Sequence, residues 1–210
     1  MTRIYMIRHG KAAAGWDGDA DPGLNELGRS QSAAVAEGVQ ALVPSPAPLY
    51  TSPLKRCQET ALPLAQAWGA TPKIELGVSE IPPPIEDLTQ RTEWLRRVMA
   101  GTWQGLYDDP VSVASGLDFK AWFEAVPRAL NALHAGGQGG HVVVFSHFIA
   151  LNVAYCAATA EPADWAGQDV LSFAPQNCSL NIFETDGQTL TLIEQGEETD
   201  DMKIALGKKT

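Results

Sequence analysis

The sequence predicts an α/β protein, a three-layer α/β/α sandwich around a mostly parallel sheet with a C-terminal antiparallel hairpin. Short apolar runs rich in β-branched residues alternate with longer segments of helical periodicity, the order typical of parallel sheets. Two late apolar runs flank Asp186-Gly187, a dipeptide typical of hairpin turns. A chain of 210 residues with 45% hydrophobic residues can bury a full core, so we expect one domain over residues 1–210.

The first half of the chain predicts two strand–helix repeats. A β-branched and aromatic run indicates a strand at about Arg3–Ile7, and an Ala-rich helix from about Glu26 to Leu42 follows a long Gly- and Ala-rich loop. A short strand at Leu49–Thr51 then leads into a helix over Pro53–Trp68. Ser52 is expected to cap this helix, because Ser is a favoured N-cap residue and Pro is favoured at the first helical position.

The second half begins with a strand near Lys73–Leu76. The proline run 82–84 excludes regular structure and marks the start of an inserted, mainly helical excursion at about 81–116, which we expect to cover the site. The later predicted elements are a helix at Phe119–His134, a Val-rich strand that starts at His141, a helix at Phe148–Ala158, and hairpin strands at Ser179–Glu184 and Thr189–Glu194.

Arg8 and His9 directly follow the first predicted strand, and Gly10 allows a sharp turn after them. They therefore lie at the C-terminal edge of a strand, where open α/β sheets bind their ligands. A guanidinium can form two parallel hydrogen bonds to phosphate oxygens, and an imidazole can attack phosphorus or receive a proton. The pair is suited to phosphate chemistry.

Two further segments place polar residues at strand ends. Arg56 is expected about one turn into the helix that follows the second strand, near a helix N-terminus that itself favours phosphate. Ser146 and His147 follow the Val-rich strand. Because the carboxyl ends of parallel strands share one edge of a sheet, all these side chains can converge on one pocket.

In this order, the segments 8–10, 51–61 and 146–147 resemble the histidine phosphatase superfamily, also called the phosphoglycerate mutase-like superfamily. The segment 21–31 is similar to the start of the first helix in that family, and the resemblance runs from residue 3 to about residue 183. It implies the phosphoglycerate mutase-like fold. It also implies that Arg8, Arg56 and His147 line a phosphate pocket, with His147 a candidate catalytic residue as well and Ser146 a further candidate donor.

The resemblance implies a metal-independent phosphatase that hydrolyses a phosphomonoester through a phosphohistidine at His9. No cofactor is expected, because the cationic pocket can replace a metal ion. Two alternatives remain open: phosphoglycerate mutase-like phosphotransfer and removal of phosphate from protein phosphohistidine. A weaker alternative is a phospho-ligand-binding module without catalysis.

An alkoxide leaving group needs a proton from a nearby acid. Glu80, just before the proline run, is the first candidate because the family often has its acid at this place. Glu86 and Asp87 are the alternatives. The chain also departs from the family pattern at Gly15, where the family often has an Asn that helps to hold phosphate.

The net charge of −10 argues against a nucleic-acid surface, since such proteins need basic contacts to phosphate. The three widely spaced cysteines, Cys57, Cys156 and Cys178, indicate neither a metal site nor a disulfide framework. No apolar run is long enough for a membrane span, and no signal peptide precedes the first strand. We therefore expect a cytoplasmic enzyme that acts on a small phosphorylated substrate, and the oligomeric state stays open.

Overall fold

The computed structural model describes residues 1–15, 18–43, 46–137 and 140–199. Its strands are β1 (Thr2–Arg8), β2 (Leu49–Thr51), β3 (Lys73–Ile74), β4 (His141–Ser146), β5 (Leu180–Thr185) and β6 (Leu190–Glu194). Its α-helices are α1 (Glu26–Leu42), α2 (Lys55–Trp68), α3 (Leu88–Met99), α4 (Trp103–Asp108), α5 (Pro110–Ser115), α6 (Phe119–Gly137) and α7 (Phe148–Thr159).

The described strands form one six-stranded sheet in the order β3-β2-β4-β1-β5-β6. The first four of these in sheet order are parallel, whereas β5 runs antiparallel to β1 and pairs with β6 in the C-terminal hairpin. This confirms the predicted mixed sheet. In its register, Arg8 lies opposite Ser146 and Thr51 lies opposite Phe145, so β1, β2 and β4 end together at one edge.

Helices cover both faces of the sheet, because alternate residues of each buried strand point to opposite sides. Ile4, Met6 and Val144 pack into a core with residues of α3, α4, α6 and α7. Tyr5 and Phe145 pack on the other face against α1 and α2. The three-layer α/β/α arrangement that the sequence predicts is therefore confirmed.

The predicted start of α2 and the predicted end of β3 are wrong. The second helix begins at Lys55 rather than Pro53, and its N-cap is Leu54, which makes no side-chain cap hydrogen bond. The Ser52 hydroxyl instead accepts from the Leu54 N–H and contacts His147, so a tertiary contact replaces the expected cap. β3 is only two residues long, because the chain turns into a 3₁₀ helix at Leu76–Val78.

The segment 81–116 contains α3, α4 and α5. Trp94 and Trp103 are almost completely buried, and the Trp103 ring meets the ring of Phe123 from α6 edge-on at 4.8 Å. Through these aromatic contacts the segment packs into the core on the face of the sheet that α6 covers. In the described ranges, no helix combines the length and the apolar character that crossing a membrane requires.

Four stretches of the chain lie outside the described residues, and the sequence-based expectations there stay predictions. They are 16–17 in the loop before α1, 44–45 after α1, 138–139 before β4, and 200–210 at the end of the chain.

Candidate active site

A cavity of about 490 Å³ opens where β1 and its parallel neighbours end. Four of the residues expected at the site line it: Arg8, His9, Arg56 and Glu80. They come from the end of β1, from the first turn of α2, and from the chain just after the 3₁₀ helix. The sheet therefore brings together residues that are up to 72 positions apart in sequence.

The His9 imidazole is buried, and its two ring nitrogens have different surroundings. Nδ1 lies 2.8 Å from the carbonyl oxygen of Gly10, an acceptor, so Nδ1 carries the proton and Nε2 keeps a lone pair. The backbone around it is held as well, since the Gly10 N–H donates to Thr60 and the Asn177 amide donates to the His9 carbonyl. Burial, reinforced by the charges of Arg8 and Arg56, holds the pKa of His9 well below its usual value. The ring is therefore neutral near pH 7.

Arg8 is a partly buried cation that contacts the protein on two sides. Its Nη1 donates to the carbonyl of Pro175 at 2.7 Å, and its guanidinium carbon lies 4.9 Å from the ring centre of Phe148. Burial lowers its pKa to about 10, so it remains charged at neutral pH. Its buried Nε has no hydrogen-bond partner within the described ranges. An anion in the cavity is the natural acceptor for such a donor.

Arg56 supplies a second guanidinium from the start of α2. Its side chain is only 12% exposed, and its Nη1 lies 3.6 Å from a carboxylate oxygen of Asp21. The same oxygen accepts from the N–H of Lys55 at 3.0 Å. Asp21 thus fixes the loop before α1 to the N-terminus of α2 and orients Arg56, a role that the sequence pattern did not indicate.

The Glu80 carboxylate lies in the cavity wall and accepts hydrogen bonds from the N–H groups of Ile81 and Ile149, each at 3.1 Å. Burial raises its pKa, and the positive charge of Arg56 opposes the rise. The two alternative acids are not among the cavity-lining residues. Both Glu86 and Asp87 are exposed, and Asp87 caps α3 by accepting from the N–H of Gln90.

His147 and Ser146 are close to the site but do not line the cavity. His147 is fully buried, and its Nε2 forms a 2.7 Å hydrogen bond with the Ser52 hydroxyl. Burial, together with the charge of Arg56, lowers its pKa well below the usual value. The Ser146 hydroxyl donates to the carbonyl of Val78 at 2.7 Å and is completely buried. The expectation that Ser146 reaches phosphate therefore does not fit its geometry, since its proton is committed to the backbone.

Sequence reasoning did not anticipate three cavity residues from α3, namely Arg91, Thr92 and Arg96. Lys11 and Asn25 line the cavity as well. No motif surrounds the α3 residues in the sequence, and only the packing of α3 against the core brings them to the site. Among the described residues, no group of three or more His, Cys, Asp or Glu side chains could hold a metal ion.

A neutral buried histidine beside two guanidinium groups at the carboxyl edge of a parallel sheet is an arrangement suited to binding phosphate in an α/β protein. The sequence matches the histidine phosphatase superfamily (branch 1) over residues 4–197, and the chain belongs to that family.

Curated relatives share shorter stretches. The chain is 32% identical over 111 residues to a metal-independent phosphoserine phosphatase of Arabidopsis thaliana, a match that covers 51% of this chain and 40% of the relative. It is 27% identical over 167 residues to a bifunctional protein of Mycobacterium tuberculosis, covering 70% of this chain and 41% of that protein. The chain thus spans about two fifths of the length of these relatives.

Solved structures share the fold at low identity. A phosphoserine phosphatase from Entamoeba histolytica, solved as a mutant with phosphoserine, has a TM-score of 0.70 and 19% identity, covering 92% of this chain and 96% of that one. A mycobacterial glucosyl-3-phosphoglycerate phosphatase, solved with VO₃, has a TM-score of 0.66 and 19% identity, covering 91% and 96%.

Proposed function

We propose that this protein is a metal-independent phosphatase that hydrolyses a phosphomonoester through a phosphohistidine at His9. The observation that carries the proposal is the hydrogen bond between His9 Nδ1 and the Gly10 carbonyl. It leaves Nε2 unprotonated in a cavity that Arg8 and Arg56 also line. Membership of the histidine phosphatase superfamily supports the same chemistry.

In the first step, the lone pair of His9 Nε2 forms a bond to phosphorus while the bond from phosphorus to the leaving oxygen breaks. Glu80 gives its proton to that oxygen, so that an alcohol leaves rather than an alkoxide. A partly buried carboxyl group with a raised pKa is suited to hold that proton near neutral pH.

In the second step, the Glu80 carboxylate takes a proton from a water molecule, and the water oxygen attacks phosphorus. The bond between phosphorus and Nε2 breaks, which releases inorganic phosphate and restores neutral His9. Arg8 and Arg56 stabilise the charge on the phosphoryl oxygens in both steps, the main contribution expected in phosphoryl transfer.

The position of Glu80 in the cavity wall favours phosphomonoesters over protein phosphohistidine as substrates. A phosphorus–nitrogen bond has a leaving group that needs less help from a protein acid, whereas an alcohol needs the proton.

The experiment is hydrolysis of an aryl phosphate in the presence of a chelator, comparing the wild type with the His9→Ala and His141→Ala variants. His141 lies at the opposite end of β4 and bonds to Tyr5, so its variant is the control for loss of a histidine. We expect turnover in the wild type and the control and none in His9→Ala. A strict need for added divalent metal, or turnover that survives in His9→Ala, would contradict the proposal.

A further inference from the structure

The hydroxyl group of Thr60 connects the turn that carries His9 to the helix that carries Arg56. Thr60 lies on α2 and is completely buried. Its Oγ1 is 3.0 Å from the backbone nitrogen of Gly10 and 2.6 Å from the carbonyl oxygen of Arg56. Because an N–H group donates and a carbonyl oxygen accepts, the hydroxyl accepts from Gly10 and donates its own proton to Arg56.

Gly10 transmits this contact to the His9 ring. Its N–H group is held by Thr60, and its carbonyl oxygen lies 2.8 Å from His9 Nδ1. That carbonyl determines which ring nitrogen carries the proton and how the ring is oriented. Thr60 is not among the residues that line the cavity, so its influence on His9 passes through the backbone of Gly10.

Two further contacts hold the same turn, and both come from the sheet. The His9 N–H donates to the carbonyl of Ser146 at the end of β4, and the Asn177 amide, just before β5, donates to the His9 carbonyl, each at 2.9 Å. Of these three contacts, the one made by Thr60 comes from α2. Thr60 is four residues after Arg56 and therefore on the same face of that helix. It fixes the turn relative to the first turn of α2.

We propose that Thr60 is a positioning residue that aligns His9 Nε2 with a phosphoryl group bound by Arg56. The inference rests on the proposed phosphatase function and adds to it a residue that touches neither the substrate nor the reacting atoms. A misplacement of about 1 Å can reduce the rate of a reaction about a hundredfold. Without the hydroxyl, the buried N–H of Gly10 loses its partner, and the turn shifts to find another.

The test compares Thr60→Val, which replaces the hydroxyl with a methyl group, with Thr60→Ser, which keeps the hydroxyl. The measured quantities are the single-turnover rate of phenol release from an aryl phosphate and the affinity for inorganic phosphate. We expect Thr60→Val to lower the rate about tenfold or more, because the nucleophile is misaligned. The affinity for phosphate should stay within about threefold, because Arg8 and Arg56 are retained. Thr60→Ser should retain most of the wild-type rate.

Thr185 offers a matched control for the loss of a buried hydroxyl. It is also completely buried, and its hydroxyl accepts from the Gly187 N–H at 2.9 Å and donates to Asn131 Oδ1 at 2.6 Å. Thr185 pairs with Thr2 at the start of β1, whereas His9 follows the end of that strand. Thr185→Val should therefore lower the midpoint of denaturant unfolding much as Thr60→Val does, but leave the rate of phenol release unchanged.

A second readout follows the His9 ring and does not depend on turnover. The chain has four histidines, so ¹⁵N spectra of the imidazole rings can be assigned by replacing them one at a time. We expect the wild type, Thr60→Ser and Thr185→Val to show His9 with its proton on Nδ1. In Thr60→Val, both ring nitrogen shifts should move toward the average of the two tautomers, because the Gly10 carbonyl is displaced.

Equal loss of rate in Thr60→Val and Thr185→Val, an unchanged rate in Thr60→Val, or an equally large loss in Thr60→Ser would overturn the positioning role. Unchanged His9 signals in Thr60→Val would overturn it as well. If Thr60→Val does not fold, Thr60→Ala takes its place under the same criteria, since it removes the hydroxyl without placing a methyl group against Gly10. No turnover of any phosphomonoester by the wild type would reject the phosphatase instead, and the His9 signals would then decide the role of Thr60.

Discussion

The imidazole rings of His9 and His147 lie with their centroids 5.3 Å apart and their planes inclined at 61°. Both rings are buried, and Arg8 and Arg56 are close enough for their charges to act on each of them. Two protonated rings at this distance from each other and from two guanidinium groups would be strongly unfavourable. The arrangement therefore keeps both histidines neutral near pH 7.

The first prediction concerns the acid side of the pH profile. Burial lowers the pKa of His9 well below the ordinary histidine value of about 6.5. The free enzyme therefore keeps its neutral nucleophile as the pH falls through 6.5. We expect kcat/KM for an aryl phosphate, corrected for ionisation of the substrate, to stay constant as the pH falls through 6.5. An acid limb with its midpoint at or above 6.5 would contradict the account.

The second prediction concerns Glu80 as the acid. The Glu80→Gln variant should lower kcat/KM for an alkyl phosphate by about a hundredfold or more, the usual contribution of a general acid. An aryl phosphate should lose much less, because its leaving group needs no proton. The matched control is Glu86→Gln, which changes an exposed carboxylate outside the cavity lining. Equal losses of kcat/KM on both substrates would exclude Glu80 as the general acid. A loss on the alkyl phosphate in Glu86→Gln would assign that role to Glu86.

The third prediction concerns the alkaline side of the profile. Because burial raises the pKa of Glu80, the carboxyl group keeps its proton above its ordinary range and loses it as the pH rises. For an alkyl phosphate we expect kcat/KM to fall as the pH rises through the pKa of Glu80. That limb should be absent in Glu80→Gln. If the variant retains the limb, another group is responsible for it.

The fourth prediction concerns the hydroxyl that holds His147. Ser52→Ala removes the oxygen partner of His147 Nε2 inside a fully buried site and leaves that nitrogen only the Cys57 sulfur, at 3.3 Å. The free energy of unfolding should fall by about 1 kcal/mol or more, the usual net contribution of a hydrogen bond. Ser30→Ala, on the exposed side of α1, should change it by less than about 0.5 kcal/mol. Denaturant unfolding that shows equal effects would rule out a structural role for the Ser52 hydroxyl.

The fifth prediction compares two glycines. A Cβ at Gly10 would lie 2.6 Å from the carbonyl oxygen of Gly28 in α1, so Gly10→Ala must displace backbone next to His9. Gly38 lies on the exposed side of the same helix with nothing within 4 Å of an added Cβ. Gly10→Ala should therefore lower both stability and turnover. Gly38→Ala should raise the free energy of unfolding by about 0.5–1 kcal/mol.

Sequence reasoning located the parallel strands and the residues at their ends well. Buried strands such as β4 are continuous apolar runs, and the polar residues that follow them, such as His9, stand out against that background. It failed where a tertiary contact outweighs a local preference. Ser52 has the usual properties of an N-cap residue, yet its hydroxyl is used by His147, which is 95 residues away in the chain.

The α3 residues could not have been found in the same way. Arg91 and Arg96 occur on a charged helix whose exposed face would carry such residues in any soluble protein. Only the packing of α3 on the core, where Trp94 and Met99 are buried, brings Arg91 and Thr92 to the cavity. Asn177 lies just before β5, and the pairing of β5 with β1 brings its amide to the His9 carbonyl.

The most direct test of the central claim is to trap the phosphoenzyme. The wild type is mixed with an excess of a fast aryl phosphate, quenched in alkaline denaturant because phosphohistidine is unstable in acid, and digested for mass spectrometry. We predict one phosphoryl group on the peptide that contains His9, and none in the His9→Ala variant. A phosphoryl group on His147 or on another residue, or rapid turnover with no phosphoenzyme at any quench time, would contradict His9 as the nucleophile.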